Sequence, residues 1–429
     1  MAKILPLLRS GDFLTHQRVM LLSAGLILAY VLSLAFLGAT AHGLNDYVGR
    51  PLGTDFSNVY AAGMAALHGD PTAPFDIRRQ VEMERQLFGP QTSFYGWHYP
   101  PFFLFVAMVL AKFPYLVALT LWQVGGLLLW LGAMKLLLRK TGAVHSVRNG
   151  QWLVVALGFT AVFTNIIHGQ NGFLTTGLVA AGLALLDERP ILAGVLFGLL
   201  CYKPQFAAVI PLVLGATGRW RSLSAMAIVA LFLAATATVI FGWSVWPAFV
   251  ESMHFIRSVA LEQGNIGFYK IQSLFAFVRL LGGSVALAYG AQILLALSVT
   301  AALIAIWRGP AASEDKKSAL CLAALLITPY CLDYDMVLLA PVIALSVARG
   351  KVRGFADYEI LSLMLLWLAP GLTRGLAQYA FIPFGTAAML FSFALIWRRA
   401  RMGRDALHHS VNKTSTAELP SLAPATRKV

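Results

Sequence analysis

Five short polar clusters stand out in otherwise apolar surroundings: Thr54-Asp55-Phe56, Trp97-His98-Tyr99-Pro100-Pro101, His168-Gly169-Gln170-Asn171, Tyr202-Lys203-Pro204-Gln205 and Asp333-Tyr334-Asp335. Ionisable groups near bilayer depth are costly, so each cluster is a candidate site whose partner must be sought. A carboxylate such as Asp55 can act as general base toward a hydroxyl held within about 3 Å. An ammonium such as Lys203 can pair with an anionic head group, or else snorkel outward. His168 and Gln170, in a tight turn, offer donors to a phosphate oxygen, and Arg279 can add positive charge to the same face, with Lys270 and Gln272 nearby. His98, Tyr99, Asn171, Gln205, Tyr334 and Asp335 are the candidate substrate contacts.

Each cluster also has a plainer structural use. Asp55 or Ser57 directly precedes a helical pattern and can cap it. His168 can close a helix end, and the prolines after Tyr99 mark a helix start. The Asp333-x-Asp335 pair invites a metal reading, but residues two apart on a helix point to different faces. No metal site is therefore expected. One of the two carboxylates is expected to pair with a basic group or to cap a helix. The sequence holds no phosphate-binding Gly-rich loop, metalloprotease helix or nucleophile elbow.

The elements that must position these residues are apolar helices. The chain has 429 residues, 58% hydrophobic and 12% charged, with a mean hydropathy of +0.71. Runs such as 19–37 and 116–130 approach the ~20 residues that cross a bilayer core. A soluble enzyme is excluded on those grounds. The net charge of +14 does not indicate nucleic acid, because Lys and Arg fall in short segments between apolar runs. Cys201, Cys321 and Cys331 are odd in number, with no C-x-x-C, so neither a disulfide framework nor a zinc site is indicated. Lys3, Arg9 and Arg18 precede the first apolar run, which is longer than a signal-peptide core and is read as a retained helix.

Assigning basic loops to the cytoplasm predicts about twelve crossings. They lie near 19–40, 114–138, 151–167, 172–186, 190–202, 204–217, 222–242, 286–307, 317–331, 334–348, 357–373 and 380–397. This layout puts 22 of the 33 basic residues inside, Arg148 among them, and nine outside. A transmembrane domain over 1–397 would then carry two outer loops, 41–113 and 243–285, and a polar, disordered inner tail over 398–429. Both termini are expected inside, and all five polar clusters face out. Parity requires that residues 101–111 do not span, so they read as an interfacial or re-entrant helix.

The polar stretches, taken in order, resemble glycosyltransferase family 87. The resemblance runs from about Asp55 to Asp335. It is carried by Asp55-Phe56-Ser57-Asn58-Val59-Tyr60-Ala61-Ala62-Gly63, Gly69-Asp70-Pro71 with Pro74-Phe75-Asp76, Tyr99-Pro100-Pro101, Gly169-Gln170-Asn171, and Gly198 through Lys203-Pro204 to Arg219-Trp220-Arg221. It implies an all-α polytopic fold of the C-type glycosyltransferase (GT-C) class, with interfacial helices in the first outer loop. It also implies a metal-independent, inverting enzyme that takes a polyprenyl-phosphate sugar as substrate and needs no cofactor. On this likeness Asp55 is the catalytic base, and Lys203, Gln170 and His168 face the donor phosphate. Many relatives carry a histidine after the Ser/Thr-Pro near the tenth helix, whereas Thr328-Pro329 here is followed by Tyr330 and the Asp333 cluster.

The expected function is transfer of a hexose, mannose-like, from that donor to a lipid or glycan hydroxyl outside a bacterial inner membrane, with membrane lipids as further partners. Two rivals are a polymerase or ligase using polyprenyl-diphosphate glycans, and a lipid or solute transporter. A transporter should show internal repeats, and the sequence has none.

Overall fold

A computed structural model describes residues 4–141 and 150–417, with side chains to Met402. Lys3, Arg148 and the tail charges beyond residue 402 lie outside these, as does the chain after 417. Among the described residues the regular structure is helical, with only isolated bridges such as Ile271–Leu332.

Five helices are long and apolar enough to cross a membrane: His16–Ala39, Tyr115–Lys140, Trp220–Phe241, Val285–Arg308 and Glu359–Ala380. Their outward faces carry large exposed apolar side chains, among them Leu21, Leu231, Val239 and Leu294. Such faces are stable only against hydrocarbon. Shorter apolar helices, Gly172–Leu185, Pro190–Tyr202 and Pro204–Ala216, lie between them. The two that start on proline use it where a backbone N–H would go unpaired.

Several expected helices are broken where the sequence breaks them. The run expected at 151–167 divides into Gln151–Leu157 and Thr160–Ile167 at Gly158-Phe159. The run expected at 317–331 begins earlier, at Ser313, and ends at Leu326 before Thr328-Pro329. The next begins as a 3-10 turn, Asp333–Leu338, and only then becomes the α-helix Leu339–Arg353. The last helix, Phe384–Ala417, continues past residue 397, where the sequence reading ended it.

The first polar stretch folds into helices Phe56–Leu67 and Ile77–Phe88. Asp76 caps the second, accepting from the backbone N–H of Arg78 and Arg79 at 2.9 and 3.2 Å. Residues 101–111 form one short apolar helix, about 16 Å long at 1.5 Å per residue. That is half a bilayer core. It packs on Phe56–Leu67 at Gly63, where an added Cβ would lie 2.2 Å from the Ala107 carbonyl oxygen. After it, Pro114 turns the chain into Tyr115–Lys140.

At the opposite end, a buried charge network ties four helices together. Arg399 pairs with both Asp315 and Glu359, and Arg349 Nε lies 3.2 Å from Asp315.

Candidate functional site

Asp55 stands at the N-terminus of Phe56–Leu67, yet its carboxylate makes no capping bond there. That excludes the plainest structural use of this side chain. Instead Gln170 Nε2 donates to Asp55 Oδ2 at 2.7 Å, and the Asp55 backbone N–H donates to the His168 carbonyl at 3.1 Å. Next to it, the Thr54 hydroxyl and His168 Nδ1 lie 2.9 Å apart. Among the described residues no group donates to Asp55 Oδ1, and the side chain is half-buried. One oxygen is fixed and one is left to accept a proton.

The turn that carries Gln170 is held rigidly. Gly169 has φ +62°, and a Cβ there would sit 2.6 Å from Phe56 Cβ and 2.7 Å from the Gly53 carbonyl. Glycine is therefore required both by conformation and by space. Trp122 Nε1 donates to the Gly169 carbonyl at 3.1 Å, while Gln123 Nε2 and Asn165 Nδ2 donate to that of Gln170 at 3.1 and 3.0 Å. Asn165 Oδ1 then accepts from the Gly172 N–H at 2.8 Å, which starts helix Gly172–Leu185.

Tyr99 joins the same network. Asn171 Nδ2 donates to its hydroxyl at 2.8 Å, and that hydroxyl reaches Gln170 Oε1 at 3.5 Å. The Tyr99 ring lies 6.3 Å from that of Tyr202, which precedes Lys203. His98 has a buried Nδ1 without a partner. Burial lowers its pKa, against an upward pull from Asp55.

Lys203 Nζ donates to Asp335 Oδ1 at 2.6 Å, and both side chains are buried. Asp335 Oδ2 accepts from the Leu332 N–H at 3.0 Å. The ammonium also lies 5.5 Å from the Tyr334 ring centre, and that ring is 6.1 Å from the ring of His168. The chain of contacts Thr54–His168–Tyr334–Lys203–Asp335 therefore links the first, third, fourth and fifth polar clusters. Asp333 takes a different cation: Arg374 spans both its oxygens at 3.1 and 2.8 Å. The two carboxylates of the Asp-x-Asp diverge.

The segment that carries Lys270, Gln272 and Ser273 folds against this group. Gln272 N–H donates to the Cys331 carbonyl at 2.6 Å, and Ser273 Oγ to that of Pro329 at 2.8 Å. This sets the half-buried Lys270 near the site, its pKa lowered by burial and then by Arg374, against upward pulls from Asp55 and Asp333. Arg279 is placed differently. Its guanidinium donates to the carbonyls of Gly283 and Glu262 at 2.6 and 2.9 Å and lies 5.1 Å from the Phe268 ring. Among the described residues no contact joins it to Asp55, Gln170 or Lys203. Gln205 is half-buried on the short turn Pro204–Ala207.

Three contributors were not singled out by the sequence. Glu84, 1% exposed, accepts from Gln80 Nε2 at 3.0 Å and from the Tyr95 N–H at 3.1 Å. Burial pushes its pKa up to about 7, and Asp55 adds to the rise. The spacing of Gln80, Glu84 and Phe88, four residues apart on one stripe, was the available sign. Arg374 counted as a loop charge because its helix was ended at 373. An arginine inside an apolar helix points to a buried carboxylate. Lys270 was noted only for its nearness to Arg279.

The arrangement offers a fixed carboxylate with one open oxygen, beside a mixed set of cations and hydrogen-bond donors. It suits proton removal from a hydroxyl close to a developing negative charge. A model of glycosyltransferase family 87 matches residues 97–331, a span that includes the Tyr99, Gln170 and Lys203 clusters and begins after Asp55. No curated protein and no solved structure matches the chain.

Proposed function

The chain belongs to glycosyltransferase family 87, and we propose that it is an inverting GT-C enzyme that moves a hexose, mannose-like, from a polyprenyl-phosphate donor to a lipid or glycan hydroxyl. Asp55 is the general base. The observation that carries this reading is the pair of states on its carboxylate: Oδ2 held by Gln170 at 2.7 Å, Oδ1 unclaimed among the described residues.

In the reaction, the acceptor oxygen forms a bond to the anomeric carbon as the bond from that carbon to the phosphate oxygen breaks. The acceptor proton passes to Asp55 Oδ1, and the electron pair leaves with the polyprenyl phosphate. Donors fixed before the reaction stabilise the charge gathering on that phosphate. His168 and Lys270 are the groups we assign to it. The buried Lys203–Asp335 pair, with Gln170, forms the wall behind them, and Arg279 clasps the outer loop over the site. Tyr99, His98, Asn171, Gln205 and Tyr334 surround the sugar or acceptor.

The remaining architecture of this reading is about twelve crossings, with both ends of the chain cytoplasmic and the site outside. The excess of basic residues in the inner segments supports it. Apolar helix faces hold the isoprenoid, which prefers hydrocarbon to water.

The test is to incubate the purified protein with polyprenyl-phosphate hexoses and, separately, with a polyprenyl-diphosphate oligosaccharide. Products and anomeric configuration are then read by mass spectrometry and NMR. Inverted products from the monophosphate donor alone are expected. Transfer from the diphosphate alone would make the protein a polymerase or ligase instead.

A further inference from the structure

The helices that leave the Asp55 site converge on a second polar cavity at their other ends. Gly172–Leu185 starts at Asn171 and ends beside Asp187. Ser313–Leu326 carries Lys316 and Lys317 near its start and ends before Asp333. Each spans about 21 Å at 1.5 Å per residue, so this cavity and the Asp55 site are at opposite ends of the fold. It encloses about 240 Å³ and is lined by Asp187, Arg219, Trp307, Ser313, Lys316 and Lys317.

The lining is unbalanced in charge. Arg219 pairs with Asp187 at 2.7 Å and lies 5.9 Å from the Trp307 ring centre. Among the described residues neither Lys316 nor Lys317 has a carboxylate within ion-pair distance, and Lys317 is 6% exposed. Trp307, also 6% exposed, has a buried indole N–H with no acceptor. An indole N–H can only donate, and a buried donor without a partner is costly. The helix at Ser313 has no side-chain cap, so its first backbone N–H groups add further donors. The cavity thus presents donors and net positive charge, and the one carboxylate lining it, Asp187, is already held by Arg219.

We propose that this cavity binds a phosphate group, held by Lys316, Lys317 and the Trp307 N–H. The site is separate from the transfer chemistry at Asp55. The same chemistry would recognise an anionic phospholipid head group at the membrane edge or a free phosphate. Basic pockets between membrane helices hold lipid head groups in this way.

The experiment is native mass spectrometry of the full chain in detergent, titrated in one arm with phosphatidylglycerol, in a second with inorganic phosphate, and in a third with phosphatidylcholine. Wild type is expected to retain one adduct of phosphatidylglycerol or of phosphate. Lys317→Gln should weaken it about tenfold, the loss of one charge-assisted hydrogen bond. Trp307→Phe should weaken it by a smaller factor, and the phosphatidylcholine arm should not respond to either change. Saturable binding in the lipid arm alone identifies a head group, and in the phosphate arm alone a soluble ligand. Where Lys317→Gln does not fold, Trp307→Phe decides. Binding unchanged by the substitutions, or no saturable adduct in the first two arms, overturns the proposal.

Discussion

Gln170 and Asp55 are 115 residues apart in sequence, yet the Gln170 amide nitrogen lies 2.7 Å from one oxygen of the Asp55 carboxylate. The turn that brings Gln170 there is fixed by Trp122, Gln123 and Asn165. Gln170 therefore aims the carboxylate rather than entering the chemistry. Gln170→Ala should lower kcat about tenfold, the worth of a hydrogen bond to a charged group, with KM for the donor little changed. Steady-state kinetics on both substrates check this, and an undiminished kcat would mean that something else orients Asp55.

Lys203 and Asp335 form a buried ion pair. Removing one partner strands a charge, at a cost of about 3–5 kcal/mol. Lys203→Met should depress the thermal midpoint strongly, and the double variant Lys203→Met/Asp335→Leu should recover much of it. A single variant as stable as wild type would contradict the pairing.

Gly169 has no room for a side chain and a backbone that favours glycine. Gly169→Ala should destabilise by more than about 1 kcal/mol, as overpacking does, and should reduce transfer because Gln170 shifts with the turn. Thermal melts beside activity assays test both parts.

Glu84 has a folded-state pKa raised from an ordinary 4.5 to about 7. Between these values the folded protein binds more protons than the unfolded chain, so stability falls as pH rises through that window and is flat above it. The full effect is about 3 kcal/mol at 1.36 kcal/mol per pKa unit. Glu84→Gln should flatten the slope between pH 4.5 and 7, measured as thermal midpoint against pH. An equally steep slope in the variant would place the titration elsewhere.

Much of the helical fold was legible because apolar runs and their breakers are local signals. Pro114, Pro190 and Pro204 each stand where a helix begins or is about to begin. The short helix over 101–111 followed from charge parity alone. Breaks inside runs were harder. The helix stops at the extended Phe159, and the glycine before it lets another helix pack close, with a Cβ at Gly158 2.8 Å from Ser23 Cα. Nothing local in the sequence encodes that contact.

The candidate site was legible as residue types but not as pairings. Asp55, Gln170, Tyr99 and Lys203 stood out because polar groups in apolar surroundings are costly. That Lys203 is neutralised by Asp335, and Asp333 by Arg374, depends on a 3-10 turn that replaced the expected helix start. Arg279 stood out for its charge, but its guanidinium is committed to two backbone carbonyls of its own loop region.

The decisive measurement is transfer by Asp55→Asn, with donor binding followed in the same preparation. The amide keeps the shape of the side chain and cannot take a proton. Transfer should fall by about 10²–10⁴, the usual worth of general base catalysis, while the apparent affinity for the polyprenyl-phosphate hexose stays near that of wild type. Turnover close to wild type would remove Asp55 from the role of base.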